Sequence, residues 1–190
     1  MNIKNIFPTG IITHQVSPQI ANYVEDLVVP RLKNLGFNNE NYSDFFNKEE
    51  ILNINEVPLL KKEIEKCINF FEKTYSIPKK TEINSYWVQD YKFNNFHGTH
   101  NHGRNEISIV YWIRANEDAG MFCLSNPSPF TDLWYSPYAF YDNSNNPYIK
   151  DKYMIQPSKG SLIAFPSFLN HEVLPGGKNC IRTTLALNSL

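Results

Sequence analysis

Cysteine is scarce in this chain, with only Cys67, Cys123 and Cys180 among its 190 residues. The number is odd, the spacings are wide and no CxxC pair occurs. That excludes a disulfide framework or a zinc ribbon and fits three reduced, buried thiols. Charge of one sign is lacking as well: 18 basic against 19 acidic residues leave a net charge of −1. There is thus no electrostatic case for nucleic acid or an anionic membrane as the main partner. No apolar run approaches the length of a membrane span. The opening Met1-Asn2-Ile3-Lys4-Asn5-Ile6-Phe7-Pro8 has neither the apolar core nor the cleavage site of a secretory signal. These absences point to a soluble, cytoplasmic protein. No internal repeat or linker breaks the chain, so a single domain over residues 1–190 is expected.

What is present reads as two helices followed by many short strands. Ile11–Val16 is a β-branched first strand, and Ser17-Pro18 looks like an N-cap with proline at the first helical position. Ile20, Val24, Leu27 and Val28 follow at helical spacing, with Pro30 expected to bend or end that helix and Gly36 to close the region. Residues 37–55 are polar and aperiodic, which suggests a surface loop. Leu60, Ile64, Cys67, Ile68, Phe71 and Tyr75 then form one apolar stripe, the mark of a second helix packed on a sheet. Beyond Pro78 the candidate strands are Ser85–Phe93, Ile107–Arg114, Gly120–Leu124, Lys152–Gln156, Ser161–Phe165, His171–Leu174 and Cys180–Asn188. Short strands with turn signals between them imply an antiparallel barrel or jelly roll. The fold class is therefore α+β, mainly β, with a helical support region at about 17–77 packed on one sheet of a barrel at about 82–190.

His100-Asn101-His102 is the pattern that carries chemistry. Imidazoles at i and i+2 on a strand point to one face. His171, entering a strand after the apolar run Gly160–Phe165 and a Pro-Ser turn, is the third candidate ligand. Gly176-Gly177-Lys178-Asn179 reads as a hairpin signal. In that register Val173 lies opposite Arg182 and His171 opposite Thr184, with Arg182 a diagonal neighbour of His171 at about 7–8 Å between Cβ atoms. Ala186 and Asn188 continue the inward face, while Thr183, Leu185 and Leu187 face the packing side. Three imidazoles with a guanidinium that can fork a carboxylate suggest non-haem iron with a keto-acid co-substrate rather than structural zinc.

With these residues in view, the sequence resembles the 2-oxoglutarate/Fe(II)-dependent dioxygenase superfamily, and within it small oxygenases of marine bacteria and phages. The matching pieces are Phe7-Pro8-Thr9, Trp87, His100-x-His102 with Ser108–Trp112, Gly160-x-Leu162-x-x-Phe165-Pro166-Ser167 with His171, and Arg182-x-Thr184 with Asn188. The resemblance implies a double-stranded β-helix (a jelly roll, cupin-like). It implies Fe(II) held by His100 and His171, with His102, the third imidazole, at the remaining ligand position, and 2-oxoglutarate anchored by Arg182 and Thr184. O2 would be consumed in an oxidation, hydroxylation being the commonest, of an unknown small molecule or protein side chain. His102 stands where the superfamily's usual motif has a carboxylate, which leaves Glu106 and Asp90 as alternative third ligands.

Phe130, Trp134, Tyr135, Tyr138, Phe140, Tyr141 and Tyr148 crowd the segment from Phe122 to Tyr153 without periodicity. It reads either as a lid over the iron or as a long loop held down by its buried rings. Two rival functions stay open. A metallo-cupin that uses no 2-oxoglutarate accounts for His100-x-His102 with Glu106 and for Gly160, Pro166 and His171, but leaves Arg182-x-Thr184 without a role. A jelly-roll binding domain requires the histidine cluster to be incidental.

Overall fold

In the computed structural model, which describes residues 9–35, 42–43, 50–78, 80–127 and 152–190, Ser17 starts helix α1 (Pro18–Asn34) by accepting a hydrogen bond from the Ile20 amide. Of the two outcomes expected at Pro30, a bend or an end, the end does not occur: the helix runs on to Asn34. Val28 and Leu32 on either side of the proline are buried, and Arg31 binds the Ile51 carbonyl and the Glu56 carboxylate, so packing outweighs one missing amide. Helix α2 (Pro58–Tyr75) buries Leu60, Ile64, Cys67, Ile68 and Phe71 of the expected stripe, while Tyr75 at its end is exposed. Residues 37–55 are not simply a surface loop: Tyr42–Ser43 forms a strand, Ile51 and Leu52 are buried, and Ile54–Glu56 is a 3-10 turn. Gly36 and Phe7-Pro8 lie outside the described residues.

Ten strands are described: β1 (Ile12–Gln15), β2 (Tyr42–Ser43), β3 (Ile83–Tyr91), β4 (His97–His100), β5 (Ile107–Ala115), β6 (Phe122–Ser125), β7 (Lys152–Ile155), β8 (Ser161–Pro166), β9 (His171–Val173) and β10 (Arg182–Ser189). They form a major sheet in the order β1-β8-β5-β10-β3-β2 and a minor sheet in the order β4-β9-β6-β7. Every described strand pair is antiparallel. One face of the major sheet, with Val88, Ile109, Tyr111, Leu162, Leu185 and Leu187, packs on both helices. Its other face meets the minor sheet through Val110, Trp112, Ile163, Phe165, Phe122, Leu124 and Val173. This is the expected double-stranded β-helix with helices on one sheet.

The pairing of β9 differs from the sequence expectation. It does not form a hairpin with β10: His171 pairs with His100 and Leu124 in the minor sheet, while Arg182 pairs with Tyr91 and Ala115 in the major one. Gly176-Gly177 does mark a turn, with the Cys180 amide donating to the Gly177 carbonyl at 3.0 Å, but the turn carries the chain between sheets. The crossing is tight. A Cβ on Gly120 would lie 1.8 Å from the Leu174 carbonyl oxygen, on rigid backbone. Gly120→Ala is therefore expected to lower stability by roughly 1–3 kcal/mol, as forced overpacking does, measured by urea denaturation.

Candidate metal centre and anion cleft

Short β4 and β9 lie side by side and bring His100 and His171 together at one mouth of the barrel. His102, just beyond β4, is held there by its amide, which donates to the Ser167 carbonyl at 2.8 Å. The ring centroids are 4.2 Å apart for His100–His171, 5.2 Å for His100–His102 and 5.1 Å for His102–His171. One ring nitrogen from each lies within 4.8 Å of the others, so a single ion can be reached by all three. Each Nδ1 is already occupied by an acceptor. His100 Nδ1 donates to the Gly98 carbonyl at 2.8 Å, His171 Nδ1 to the Leu169 carbonyl at 3.0 Å, and His102 Nδ1 to Asn188 Oδ1 at 2.6 Å. With the proton on Nδ1, Nε2 carries the lone pair a metal needs. Burial lowers the affinity of His100 for protons and pulls His171 down to about 3, so these rings stay neutral, as ligation requires.

Neither carboxylate alternative joins this cluster. Asp90 lies on the other face of the major sheet, where its side chain takes Thr183 Oγ1 at 2.5 Å, Arg114 at 3.1 Å and Lys92 at 2.6 Å. Glu106 is exposed, and the only metal-competent group of three among the described residues is His100, His102 and His171.

Arg182 enters the same cleft from the centre of the major sheet. Its side chain is 1% exposed, yet no carboxylate pairs with it among the described residues. The guanidinium lies 4.6 Å above the Tyr91 ring, and Nη1 donates to the Gly120 carbonyl at 2.9 Å. Nε has no partner. A buried cation without a counter-ion is costly, and a ligand carboxylate would relieve that cost. Thr184, two residues on, presents a buried hydroxyl to the cleft whose nearest partner is the Gln89 carbonyl at 3.4 Å. The strand parity read from sequence therefore holds for β10, although the partner strand does not.

Sequence reasoning missed several residues that line the cleft. His97 stacks on His100 at 4.1 Å, and burial, with the neighbouring imidazoles, pulls it down to about 4. Tyr91 lies under Arg182, and burial pushes its phenol up to about 12 against the pull of that cation. Gln89 lines the cleft as well, beside Trp87, which the sequence had offered only as a piece of the family resemblance. In β3, Trp87, Gln89 and Tyr91 alternate with Val88 and Asp90, a parity that was available in the sequence. The aromatic residues proposed as a lid lie outside the described residues, apart from Phe122 in the barrel interior and exposed Tyr153.

Three converging imidazoles beside a buried cation at one mouth of such a barrel suit a non-haem metal oxygenase. A profile of the family described as "Putative 2OG-Fe(II) oxygenase" matches residues 85–188, more than half of the chain. The chain belongs to this family: it is an Fe(II)- and 2-oxoglutarate-dependent oxygenase, using O2 as oxidant. The metallo-cupin and binding-domain readings give way to it. No curated protein matches the sequence.

Solved structures agree on the fold. A prolyl-4-hydroxylase of Pseudomonas putida is 14% identical, with a TM-score of 0.58 over 95% of this chain and 92% of its own. A prolyl hydroxylase of Trichoplax adhaerens, in complex with a hypoxia inducible factor peptide fragment, is 13% identical with a TM-score of 0.59 over 95% and 83%. HygX of Streptomyces hygroscopicus, with nickel and 2-oxoglutarate bound, is 9% identical with a TM-score of 0.58 over 95% and 82%. No helix among the described residues is long and apolar enough to cross a membrane.

Proposed function

We propose that His100, His102 and His171 hold the Fe(II), that Arg182 and Thr184 anchor the distal carboxylate of 2-oxoglutarate, and that the reaction is a hydroxylation carried out by one domain spanning the chain. The observation that carries this reading is the convergence of three imidazoles whose Nδ1 atoms are all engaged elsewhere. Nitrogen donors with positions left over suit non-haem iron. When bound, iron(II) would activate O2, the oxidant, with 2-oxoglutarate as the two-electron reductant that leaves as succinate and CO2, so that one oxygen atom would end in succinate and the other in the product.

The chain's own residues do the positioning. The guanidinium of Arg182 offers a rigid fork to the carboxylate, and Thr184 Oγ1 adds a donor. The apolar wall of Val110, Phe122, Phe165 and Val173 limits water around the site and strengthens both sets of interactions. Trp87, Gln89 and His97 line the same cleft, where a small molecule or a protein side chain would be received. The prolyl hydroxylase with a bound peptide fragment supports the protein side chain as one of these two kinds, since the same fold admits a peptide.

Anaerobic addition of 2-oxoglutarate to the Fe(II)-loaded protein tests the ligand set. A visible metal-to-ligand charge-transfer band is expected in the wild type and not in His100→Ala or His102→Ala. A full band in His102→Ala would remove His102 from the ligand set and leave a two-histidine site.

A further inference from the structure

Behind His102 lies a run of buried polar side chains that the ligand set does not explain. Ser108, Ser167 and Asn188 are 2%, 0% and 6% exposed, on three different strands or turns of the barrel. Ser108 Oγ lies 2.8 Å from Ser167 Oγ and 2.9 Å from Asn188 Oδ1, and Asn188 Oδ1 lies 2.6 Å from His102 Nδ1. Ser108 Oγ also approaches His102 Nδ1 at 3.2 Å, and Asn188 Nδ2 donates to Ser85 Oγ at 3.4 Å.

The donors in this network can be counted. Asn188 Nδ2 is turned toward Ser85, so Oδ1 is the atom that meets His102 and Ser108. A carbonyl oxygen only accepts. Ser108 therefore spends its single proton on Asn188, and Ser167 supplies its own proton to Ser108. The remaining lone-pair direction of Oδ1 is left for His102, whose Nδ1 must then carry hydrogen. Each hydroxyl proton has one assignment, and all converge on the state of one imidazole.

The geometry points to Asn188 as a positioning residue that, with Ser108 and Ser167, locks His102 in the Nδ1–H form and turns its Nε2 lone pair to the metal. The inference rests on His102 being a ligand and goes beyond it. His100 and His171 are oriented by backbone carbonyls that any sequence would supply. His102 is oriented by a side chain 86 residues away, so its fitness as a ligand depends on residue choice at 188. A neutral amide backs the ring without adding charge to it, which keeps His102 a neutral donor where the superfamily's usual motif has a carboxylate. Outer partners of this kind are typically worth about 10–100-fold in metal affinity.

Nitrogen-15 NMR of the histidine side chains, in metal-free and Zn(II)-loaded protein at alkaline pH, tests this with zinc as a diamagnetic probe. The metal-free wild type is expected to show His102 as the Nδ1–H tautomer, opposite to the form free histidine prefers. Zinc is expected to shift its Nε2. By competition with a chromophoric chelator, Asn188→Ala should bind Zn(II) about 10–100-fold more weakly, while Asn188→Asp, which keeps an acceptor, should stay within about threefold of the wild type or bind more tightly. An Nε2–H tautomer in the wild type overturns the proposal without any variant, so a poorly folding Asn188→Ala does not shield it. Equal losses in the Ala and Asp variants overturn it as well, because they mark a purely structural role. A His102 that ignores zinc while His100 and His171 respond sinks the ligand assignment itself. A wrong tautomer alone leaves that assignment standing.

Discussion

Arg182→Met is expected to weaken 2-oxoglutarate binding by roughly 30- to 3,000-fold while leaving metal binding intact. Truncating one partner of a buried, hydrogen-bonded charge pair costs about 2–5 kcal/mol, and each 1.4 kcal/mol or so is tenfold. The same change should not destabilise the ligand-free protein. Arg182 lies buried with an unpartnered Nε and no counter-ion among the described residues. An apolar side chain of similar volume removes that desolvation penalty, a gain that typically reaches about 1–4 kcal/mol. Against it stands the loss of the hydrogen bond to Gly120 and of the contact with Tyr91, about 1–3 kcal/mol together. The variant should therefore melt at or above the wild-type temperature without ligand, yet fail to gain stability when 2-oxoglutarate is added. Arg182→Lys keeps the charge but not the fork and should fall between the two. Anaerobic titration of the charge-transfer band, paired with thermal melts, reads both effects. Binding by Arg182→Met within threefold of the wild type would remove Arg182 as the anchor.

The same arginine shows how far the sequence could be read. Alternation along residues 182–188 placed Arg182, Thr184, Ala186 and Asn188 on one face and Thr183, Leu185 and Leu187 on the other, and the structure has that division. Parity is local, so one strand suffices to find it. The partner of that strand is not local. A glycine pair reports that the chain turns, but it does not report whether the next strand joins the same sheet, and here β10 inserts between β3 and β5 instead of beside β9. The face was therefore legible for a reason that survives, while the diagonal relation to His171 was not. In the jelly roll those residues meet across the barrel interior, each from its own sheet.

The candidate ligands were legible because their spacing is short or their setting distinctive: His100-x-His102 before an apolar strand, and His171 after one. What surrounds them was not. The partner of His102 is Asn188, and the stacking neighbour of His100 is His97, whose role no spacing announces. Asp90 was a case where reading one strand further would have decided. Trp87 faces the cleft, so alternation puts Asp90 on the opposite face with Thr183 and Arg114, where its three partners hold it.

Acid should destabilise the metal-free protein strongly, and His171 accounts for much of it. Its ring is 4% exposed and lies against Phe165 at 5.0 Å, Phe122 at 5.7 Å and His100 at 4.2 Å. Burial pulls it from the ordinary 6.5 down to about 3, opposed by the Leu169 carbonyl that its Nδ1–H meets and assisted by the neighbouring imidazoles. Between about 3 and 6.5 the unfolded chain carries a proton on this residue that the folded chain refuses. Stability therefore rises with pH through that window, is fully present above about 6.5, and is lost as the pH falls toward 3. At roughly 1.4 kcal/mol per pH unit this group alone contributes about 2 kcal/mol of loss between pH 6.5 and 5, and on the order of 4–5 kcal/mol by pH 3. That is comparable to the whole stability of a small domain. His97 and His100 are shifted in the same direction and steepen the fall. In His171→Asn the titrating ring is gone, so urea denaturation with chelator at pH 7 and pH 5 should show a decline smaller by about 2 kcal/mol than in the wild type. Parallel declines would mean that the folded protein already accommodates an imidazolium at 171. Added Fe(II) or Zn(II) should move the acid transition of the wild type to lower pH, because protons must then displace a metal as well as enter a buried ring. His171→Asn should lose most of that protection, which would tie the acid response to the same side chain that is proposed to hold the metal.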